Sequence, residues 1–591
     1  MAKVFRSGCL TMALLFGGSS GYATSVSRPS VGLVPSDIIR FSTYFGGTGE
    51  DNGIKITQDA AGYIYVLGFT SSADFPTSPD AFHSNGAPCA VVVKFSLSGT
   101  VEYSTMIPGC FGTDIAVDLG GNAYVTGYGG RGFTTTPGAY RTDPNGDIDL
   151  VIAKLNPNGS DLVYSTFFGS GGEDQARGVT VDVLGNAYIV GDTSGEDFPT
   201  VAAVQRQHHG GGRDGFVSVF NSQGTDLLMS TFLGGRKDDS LADVAIDNQG
   251  TVHVTGLSSS NDLPITDNAV QRRRIGGLDA MLASLGQNPW HLEYCSYIGG
   301  SADDSGFAVA VGPGGDLFVA GRTDSADFPT TSAAVQDYFA RGASVLGGDG
   351  FVSRFEGVGG ALGYSTFLGG TMSDPLEDLV VLPNGQALVV GTSTSPDYPT
   401  TCQLSPQFGG GFFDGSVTTL TPNGQALTLS SFFGGSGNDS LGGISSSSSG
   451  DSVVVVGTSS SLDLPIVNAV QPTLHGTSDI VITGFNLADP SGCPAPVVEN
   501  IVIKRKGNVV DHLVNGVKGK QYELTIEGTS FDSRSRVLAD GRVLSTSFMT
   551  ENLLVARFPQ GRVGPTGILV VRVLNIDGSG SGPISIEIRS R

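Results

Sequence analysis

Carboxylates recur along this chain in a pattern that could hold calcium. Short phrases that end in two small residues, usually Gly-Gly, are followed four residues later by an aspartate. Glu50, Glu173, Asp238 and Asp303 place a second carboxylate directly before four of these aspartates. Calcium takes about six to eight oxygen ligands, so paired carboxylates on a glycine-rich loop would supply part of a site. The recurring aspartates are Asp51, Asp174, Asp239, Asp304, Asp374 and Asp439.

The same aspartates have a structural interpretation, which we prefer. A residue that recurs in nearly every repeat usually does the same work in each, and an Asp side chain can accept backbone N–H groups and fix a tight turn. In one further repeat the equivalent place holds Thr113, followed by Asp114. The spacing of an EF-hand loop is absent from the sequence. Calcium therefore remains the alternative, as the one cofactor that the pattern allows.

Residues that occur only once in the pattern are the other candidates for binding. His208 and His209 lie beside three glycines, where an imidazole pair could bind a metal or accept a proton. Arg272, Arg273 and Arg274 form a basic cluster that could meet an acidic polymer. Both groups also suit solvated loops. The sequence contains no GxSxG, HExxH, phosphate-loop or dinucleotide-binding motif, so no catalytic residue is assigned.

The cysteines suggest disulfides rather than a metal site. No two of them have the CxxC spacing of zinc or thioredoxin-like motifs. In an exported protein, disulfides are the default. Cys89 and Cys110 bracket a predicted hairpin and are the preferred pair, Cys402 with Cys493 is a weaker one, and Cys295 is left over.

These residues are carried by a repeat with a period of about 65 residues. The recurring phrase starts at 41, 164, 229, 294, 364 and 429, and a degraded copy starts at Tyr103. Each period holds four short runs in which β-branched and aromatic residues alternate with other residues, as at 178–182, 185–191, 214–220 and 227–235. Such runs predict strands, and no segment has a helical period.

Four antiparallel strands repeated around an axis describe a β-propeller. Third strands that open at residues 89, 149, 214, 279, 349, 414 and 479 predict seven blades. The last blade lacks a fourth strand, so the run 38–47 is predicted to complete it and close the ring, which removes exposed sheet edges. Because strand direction alternates within a blade, the long loops and the crossovers share one face, which is the predicted binding face.

The repeated phrases YSTFLGG, GNAYVTG, DFPTT and DGFVSRF resemble the bacterial SBBP-type β-propeller repeat over residues 38–487. The segments GFTTTP (132–137) and LGGISSS (441–447) depart from the pattern. The resemblance implies the propeller fold and an exported or surface protein of a bacterium. It implies no single activity, because function depends on the site rather than on the fold.

The N-terminus predicts a secretory signal peptide over residues 1–23. Lys3 and Arg6 precede an apolar run at 9–18, and small residues allow cleavage after Ala23. That run is too short to span a membrane, and no later run is long enough either. Residues 24–37 form a lead-in. We therefore expect a secreted or cell-surface protein, and its 33 basic and 56 acidic residues (net charge −23) make nucleic acid a poor partner.

A second domain is predicted beyond a Pro/Gly-rich linker at 488–496. Residues 497–591 hold about seven short strand-like runs, which suit a β-sandwich. The phrases YELTIEGTSF (522–531), VLADGRVL (537–544) and VRVLNIDGSGS (571–581) resemble the IPT/TIG immunoglobulin-like family. That resemblance implies a spacer or interaction module, and a sandwich that merely packs on the propeller is the alternative.

Three functions fit these observations. The first is an exported, non-catalytic binding, adhesion or scaffold protein whose long-loop face binds an extracellular polysaccharide or a surface protein. The second is an extracellular polysaccharide hydrolase or lyase, which needs carboxylates or histidines that converge at the propeller centre from non-equivalent blade positions. The third is a structural component of a surface layer or sheath.

Overall fold

The computed structural model describes residues 39–486, apart from 131, 147, 341–346 and 402–407, and ten strand segments between 497 and 589. These residues form strands, turns and loops without a helix, so the prediction of an all-β protein is confirmed. No helix in this part of the chain could therefore cross a bilayer. The signal peptide, the lead-in at 24–37, the linker, Cys402 and Cys493 lie outside the described residues.

The repeat region begins with short strands that are rich in Val, Ile, Phe and Tyr. They are β1 Ile39–Phe45, β2 Asp51–Gln58, β3 Ile64–Thr70, β4 Cys89–Phe95, β5 Val101–Ile107, β6 Cys110–Val117, β7 Ala123–Gly129, β8 Asp149–Leu155, β9 Leu162–Phe168, β10 Asp174–Val181, β11 Ala187–Thr193, β12 Asp214–Phe220, β13 Leu227–Leu233 and β14 Asp239–Ile246.

The same strand pattern continues to residue 486. The strands are β15 Val252–Ser258, β16 Asp279–Gly286, β17 His291–Ile298, β18 Asp304–Val311, β19 Leu317–Thr323, β20 Asp349–Phe355, β21 Leu362–Leu368, β22 Leu376–Val381, β23 Ala387–Ser393, β24 Asp414–Leu420, β25 Leu427–Phe433, β26 Asp439–Ser446, β27 Ser452–Ser459 and β28 Asp479–Asn486.

Within residues 39–486 the described strands pair into seven four-stranded antiparallel sheets. Sheets 1 to 6 are each built from four consecutive strands, from β2–β5 to β22–β25. Sheet 7 has the order β1-β28-β27-β26, so the N-terminal strand supplies its fourth strand, and residues 41–45 lie opposite 480–484. The first strands contact one another in the order β2, β6, β10, β14, β18, β22, β26 and back to β2.

The core lies between successive sheets. Central strands such as β3 are buried on both faces, which is why they read as nearly continuous apolar runs. Each hydrophobic cluster joins two neighbouring sheets, and one cluster joins sheets 7 and 1 through Phe41, Phe45, Ile64 and Val454. Repeated four-stranded sheets that pack face to face in this way are consistent with a β-propeller.

A β-bulge occurs at the same place in every first strand. For example, the register shifts between Gly112 and Asp114 in β6 and between Leu241 and Asp243 in β14. A bulge bends its strand and changes the direction of the side chains that follow it. The residue after each bulge lies four positions after the repeated aspartate or its equivalent, and it belongs to the site described below.

Beyond residue 496 the described strands form two five-stranded sheets. One has the order β30-β29-β32-β36-β35 and the other β31-β38-β37-β33-β34. Leu524, Ile526 and Leu554 are buried in the first sheet, and Val537 and Val573 in the second. The strands are β29 Val497–Arg505, β30 Asn508–Val510, β31 Leu513–Val514, β32 Tyr522–Thr529, β33 Arg536–Ala539, β34 Arg542–Val543, β35 Ser545–Thr550, β36 Leu553–Phe558, β37 Gly567–Leu574 and β38 Ile584–Arg589.

Candidate functional site

The repeated aspartates hold the crossover that leads into each first strand. Gly235 donates its N–H to Asp239 Oδ2 at 2.7 Å, and the hydroxyls of Ser258 and Ser260 donate to the same carboxylate. Equivalent glycine and serine donors surround Asp374. Both carboxylates are almost fully buried. These hydrogen bonds are the ones that a structural role in the crossover requires.

A second buried aspartate, the first residue of a third strand, lies near each of these carboxylates. At Gly234 a Cβ atom would lie 2.9 Å from Asp214 Oδ1 and 3.0 Å from Asp239 Oδ2. The first residue of the Gly-Gly pair is therefore glycine because two carboxylates approach its Cα. The carboxylate pairs are Asp479 with Asp51, Asp149 with Asp174, Asp214 with Asp239, Asp279 with Asp304, Asp349 with Asp374, and Asp414 with Asp439.

A calcium ion would need more oxygen ligands than a carboxylate pair supplies. Calcium requires about six to eight oxygens, whereas each pair contributes two carboxylates, and those of Asp239 already accept a backbone N–H and two hydroxyls. Among the described residues, no three His, Cys, Asp or Glu side chains gather as metal ligands. The geometry thus favours the structural role for the repeated aspartates over calcium.

One junction between sheets carries cysteines where the others carry aspartates. Cys89 opens a third strand and Cys110 opens the next first strand. The placement of Thr113 at this position was wrong, because the crossover that follows Ile107 is shorter than the others. Cys89 and Cys110 are buried free thiols, in contrast to the predicted disulfide, and Cys110 lies beyond the hairpin that Cys89 begins. Cys295 is also buried and free.

The two predicted histidines do not join other ligands. His209 donates its backbone N–H to Asp214 Oδ2 at 2.8 Å, while its ring is exposed. His208 Nδ1 accepts the N–H of Gly210 at 3.2 Å, and its ring meets Phe232 edge to face. Burial lowers the pKa of His208. These contacts order the long loop of sheet 3.

The arginine cluster is held by its own loop. Arg272 pairs with Asp267 at 3.1 Å, and both side chains are exposed. Arg274 donates to the carbonyls of Gly276 and Gly277, and Arg273 is exposed. An exposed ion pair contributes little to stability. The structure thus leaves this cluster as a loop feature away from the innermost strands.

The first strands of the seven sheets contact one another and are the innermost strands. Residues that differ from sheet to sheet gather at the end of these strands that faces the long loops. We call this set the mouth ring. It comprises the second residue of each first strand, or its equivalent, and the residue opposite on the second strand. All are partly or well exposed except Asp192. The pairs are Asn52 with Phe69, Phe111 with Tyr128, Gln175 with Asp192, Ser240 with Leu257, Ser305 with Arg322, Pro375 with Thr392, and Ser440 with Thr458.

An aromatic stack occupies one side of the mouth ring. Phe111 stacks on Phe69 with ring centroids 5.3 Å apart and on Tyr128 at 5.5 Å, and the rings are within 14° of parallel. Phe111 is 42% exposed, although it lies on an innermost strand. The stack bridges sheets 1 and 2. Exposed aromatic rings of this kind offer a large contact surface to a ligand.

A charged network occupies the next part of the mouth ring. Arg177 Nε donates to Asp192 Oδ2 at 2.6 Å, Ser240 Oγ donates to the same oxygen at 2.8 Å, and Arg213 bridges Asp192 and Glu173. Burial alone would raise the pKa of Asp192, but the two arginines hold it below its ordinary value. Asp192 therefore stays ionised, and the guanidinium groups are oriented by it.

Below the mouth ring, the residues that follow the β-bulges form a second layer. Asp114 Oδ2 accepts the N–H of Val179, which belongs to the next first strand, at 2.7 Å. Asp243 and Asp378 bind the next first strand in the same way. Small residues alternate with these aspartates around the ring. In strand order the layer is Lys55, Asp114, Gly178, Asp243, Ala308, Asp378 and Gly443.

Lys55 is the cation of this second layer. Its Nζ lies 3.3 Å from Asp378 Oδ2, and the side chains are 23% and 15% exposed. Burial would lower the pKa of Lys55, but Asp378, Asp114 and Asp243 raise it above its ordinary value. Burial also raises the pKa of Asp114 to about 7 and that of Asp243 to about 6, against the effect of Lys55. The centre thus combines carboxyl groups of different acidity with one ammonium group.

Neither layer is predicted from the sequence, apart from a mention of Asp114. Both layers consist of residues that differ between equivalent positions of the first and second strands. The signal was available: the position after each repeated aspartate reads Asn, Gln, Ser, Ser, Pro or Ser, and the shorter crossover adds Phe111. Only the β-bulge and the short crossover place these residues correctly.

Comparison with known proteins supports the repeat. The beta-propeller repeat family SBBP matches residues 40–76 and 163–199. A curated relative, the regulatory protein FlaEY of Caulobacter vibrioides, is 24% identical over 359 residues, which are 55% of this chain and 35% of that protein. The chain thus matches about a third of the length of this relative.

Solved structures resemble the chain only distantly. The C-terminal WD40 domain of Sif2 covers 74% of this chain and 98% of its own length, at 10% identity and a TM-score of 0.31. The hydrazine synthase of Kuenenia stuttgartiensis covers 60% of this chain and 76% of its own length, at 12% identity and a TM-score of 0.35. Both similarities are too low to bear on function.

Proposed function

We propose that this chain is an exported, non-catalytic binding protein that holds an extracellular polysaccharide at the mouth ring of a seven-bladed β-propeller. The C-terminal sheets act as an immunoglobulin-like spacer or second contact. Secretion rests on the predicted signal peptide, and the seven-bladed ring is supported by the pairing of β1 with β28 and by the cluster between sheets 7 and 1.

The mouth ring is the observation that carries this proposal. The repeated aspartates and serines are consumed by crossover hydrogen bonds, so they offer little to a ligand. In the mouth ring, by contrast, equivalent positions hold different side chains, among them an exposed aromatic group and oriented arginines. Such differences between equivalent positions are expected where a ring of repeats meets a ligand that is not itself symmetric.

Binding of the chain from Thr24 onward to a panel of polysaccharides tests this proposal. Phe111→Ala should weaken binding of the selected polysaccharide by about fivefold or more, since aromatic anchors often contribute about 1 kcal/mol or more of binding energy. The measurement is made with calcium and with chelator, so that a calcium requirement at the repeated aspartates would also be detected.

Leu119→Ala is the matched control. Leu119 is 79% exposed in the turn that follows β6, at the opposite end of the strand that carries Phe111. It should leave polysaccharide binding unchanged. Equal losses for both variants would contradict a site at the mouth ring, and binding of a protein but of no polysaccharide in the panel would change the ligand class.

A hydrolase or lyase is the second candidate, favoured by the second layer. Asp114 and Asp243 have raised pKa values, as a general acid requires, although they occupy equivalent positions on the first strands β6 and β14. However, both oxygens of Asp114 and of Asp243 already accept backbone N–H groups, which favours a structural role. Release of shortened products that is lost in Asp114→Asn would establish the enzyme. Self-assembly into sheets would instead support a surface-layer component.

A further inference from the structure

The carboxylate pairs at the sheet junctions contain buried oxygens without a hydrogen-bond donor. Asp149, Asp214 and Asp414 are fully buried, and in each the Oδ1 atom has no donor. A buried carboxylate oxygen without a partner is costly, and native structures rarely leave one. These three residues are equivalent to one another: each opens a third strand and faces the carboxylate of the following first strand.

The unpartnered oxygen and the opposite carboxylate lie beside the same glycine, less than about 6 Å apart. At Gly234 a single Cβ position lies within 3.0 Å of both Asp214 Oδ1 and Asp239 Oδ2, and at Gly434 the same holds for Asp414 Oδ1 and Asp439 Oδ2. Two negative charges this close in a buried site disfavour each other strongly. One of the two carboxyl groups is then expected to be neutral.

The donors around each pair show which member is neutral. Asp239 accepts the Gly235 N–H and the hydroxyls of Ser258 and Ser260, so three donors stabilise its negative charge. Asp214 accepts a single N–H, from His209. Asp439 and Asp414 repeat this contrast, with three donors on the first and one on the second.

We propose that the pairs Asp214–Asp239 and Asp414–Asp439 each hold one proton at neutral pH, on the third-strand carboxyl of Asp214 or Asp414, so that these two sheet junctions form buried pH-sensitive latches. The proton supplies the missing donor and removes one of the two charges. Nothing in this proposal depends on a ligand at the mouth ring, so it stands or falls separately from the proposed function.

The junction with cysteines supports this interpretation from within the same chain. There Cys89 and Cys110 replace the two aspartates, and burial raises the pKa of Cys89 to about 11 and of Cys110 to about 12, so both are neutral. Pro108 stands where the other junctions need glycine beside the carboxylates. The fold thus accepts a junction without charge, and in that junction proline takes the place of the glycine.

Most of the effects on Asp214 act in one direction. Burial, together with the charges of Asp239, Asp238 and Asp262, raises its pKa to about 7 against the opposing effect of the His209 N–H. Burial likewise raises the pKa of Asp414 to about 7 and that of Asp149 above its ordinary value. The thiol of Cys295, which also lies near Asp239, is neutral because burial raises its pKa to about 12.

The sign of the effect on stability follows from proton linkage. A carboxyl whose pKa is raised on folding binds its proton in the native chain while the unfolded chain has lost it. Its contribution is therefore complete below about pH 4, falls as the pH rises toward 7, and stays lost above that. Each latch lowers the folding equilibrium constant by about tenfold per pH unit within this window.

Asp214→Asn in the full chain is the test. Asparagine is neutral at every pH and can donate its N–H to Asp239, so the variant should match the wild type near pH 4 and exceed it above pH 7. The ratio of the two folding equilibrium constants should rise with pH by up to about a thousandfold, as set by a pKa of about 7 against 3.8. Denaturant unfolding at several pH values measures it.

Asp239→Asn is the matched variant, because it neutralises the other member of the same pair. It should lower stability at every pH, since three donors lose a charged acceptor. Infrared difference spectra provide a second measurement: the protonated-carboxyl band of the folded wild type near neutral pH should weaken in Asp214→Asn. The proposal would be overturned by a ratio of folding equilibrium constants that does not change with pH, or by a protonated-carboxyl band that is unchanged in Asp214→Asn. A pH dependence of this ratio that disappears when sodium or calcium ions are added would also overturn it.

Discussion

Phe41 tests whether the N-terminal strand closes the ring. Phe41 is fully buried in β1, and its ring lies against Gly99 of sheet 1 and Gly484 of sheet 7: a Cβ atom at Gly99 would be 2.9 Å from it. Phe41→Ala should therefore remove contacts on both sides of the junction. Replacing a buried phenylalanine by alanine costs about 3–5 kcal/mol through lost burial and the cavity left behind.

The expected loss is large relative to what holds β1 in place. Ile39, Phe41, Tyr44 and Phe45 are the buried hydrophobic side chains of this strand. At about 1.5–3 kcal/mol for each, their burial stabilises the attached strand by roughly 6–12 kcal/mol before entropy is subtracted. Since β1 begins at Ile39 and is followed by a crossover, it can detach without unfolding the other sheets. Phe41→Ala should thus expose residues 39–45 well before global unfolding.

Limited proteolysis and hydrogen exchange of the full chain measure this detachment, and denaturant unfolding measures the global stability. Tyr164→Ala is the matched control, because Tyr164 occupies the equivalent position in β9, which a short turn joins to its neighbour β8, and packs on Gly224 in the same manner. It should lower global stability by a similar amount without exposing its own strand. Equal protection of β1 in Phe41→Ala and wild type, or equal exposure of β9 in Tyr164→Ala, would refute closure by this strand.

Two further variants probe the centre and the junctions. Lys55→Met removes the cation that opposes the raised pKa values of Asp114 and Asp243. It should lower the free energy of unfolding by about 2 kcal/mol near pH 8 and by less near pH 5, where these carboxyls are protonated. An equal loss in urea unfolding at both pH values would contradict this. Gly234→Ala places a Cβ atom 2.9 Å from Asp214 Oδ1 and should lower the stability measured by thermal unfolding by about 1–3 kcal/mol. Gly130→Ala is the control and should be nearly neutral, because Gly130 has open space around it. Similar losses in both variants would show that the carboxylates do not determine the requirement for glycine.

The repeated strands could be predicted from the sequence because the same residue pattern occurs many times along the chain. Each third strand was placed at its correct first residue, and the N-terminal run 38–47 contains β1. The alternation of apolar residues predicts strands irrespective of the remote partners that they find. The pairing of β1 with β28, more than 430 residues away, followed from a count of strands rather than from any local signal.

The site was harder to predict because it depends on two local irregularities. A β-bulge in each first strand sets which residue follows it toward the centre, and the sequence carries no marker for the bulge itself. The crossover before Cys110 is shorter than its equivalents, so counting from the Gly-Gly phrase reached Thr113 instead. As a result Cys110 was not recognised as the first residue of β6, and Phe111 was not identified as a candidate.

The alternating second layer has a consequence for how this chain could be rebuilt. Asp114, Asp243 and Asp378 each bind the next first strand, whose residue in the second layer is glycine or alanine. An aspartate in one sheet is thus paired with a small residue in the next sheet. Seven sheets are an odd number, so strict alternation must fail at one place, and Lys55 stands at that place. A chain made of identical copies of one repeat would have no such irregular place. The parity mismatch therefore leaves one position of the second layer that fits neither the aspartates nor the small residues, and in this chain a lysine occupies it.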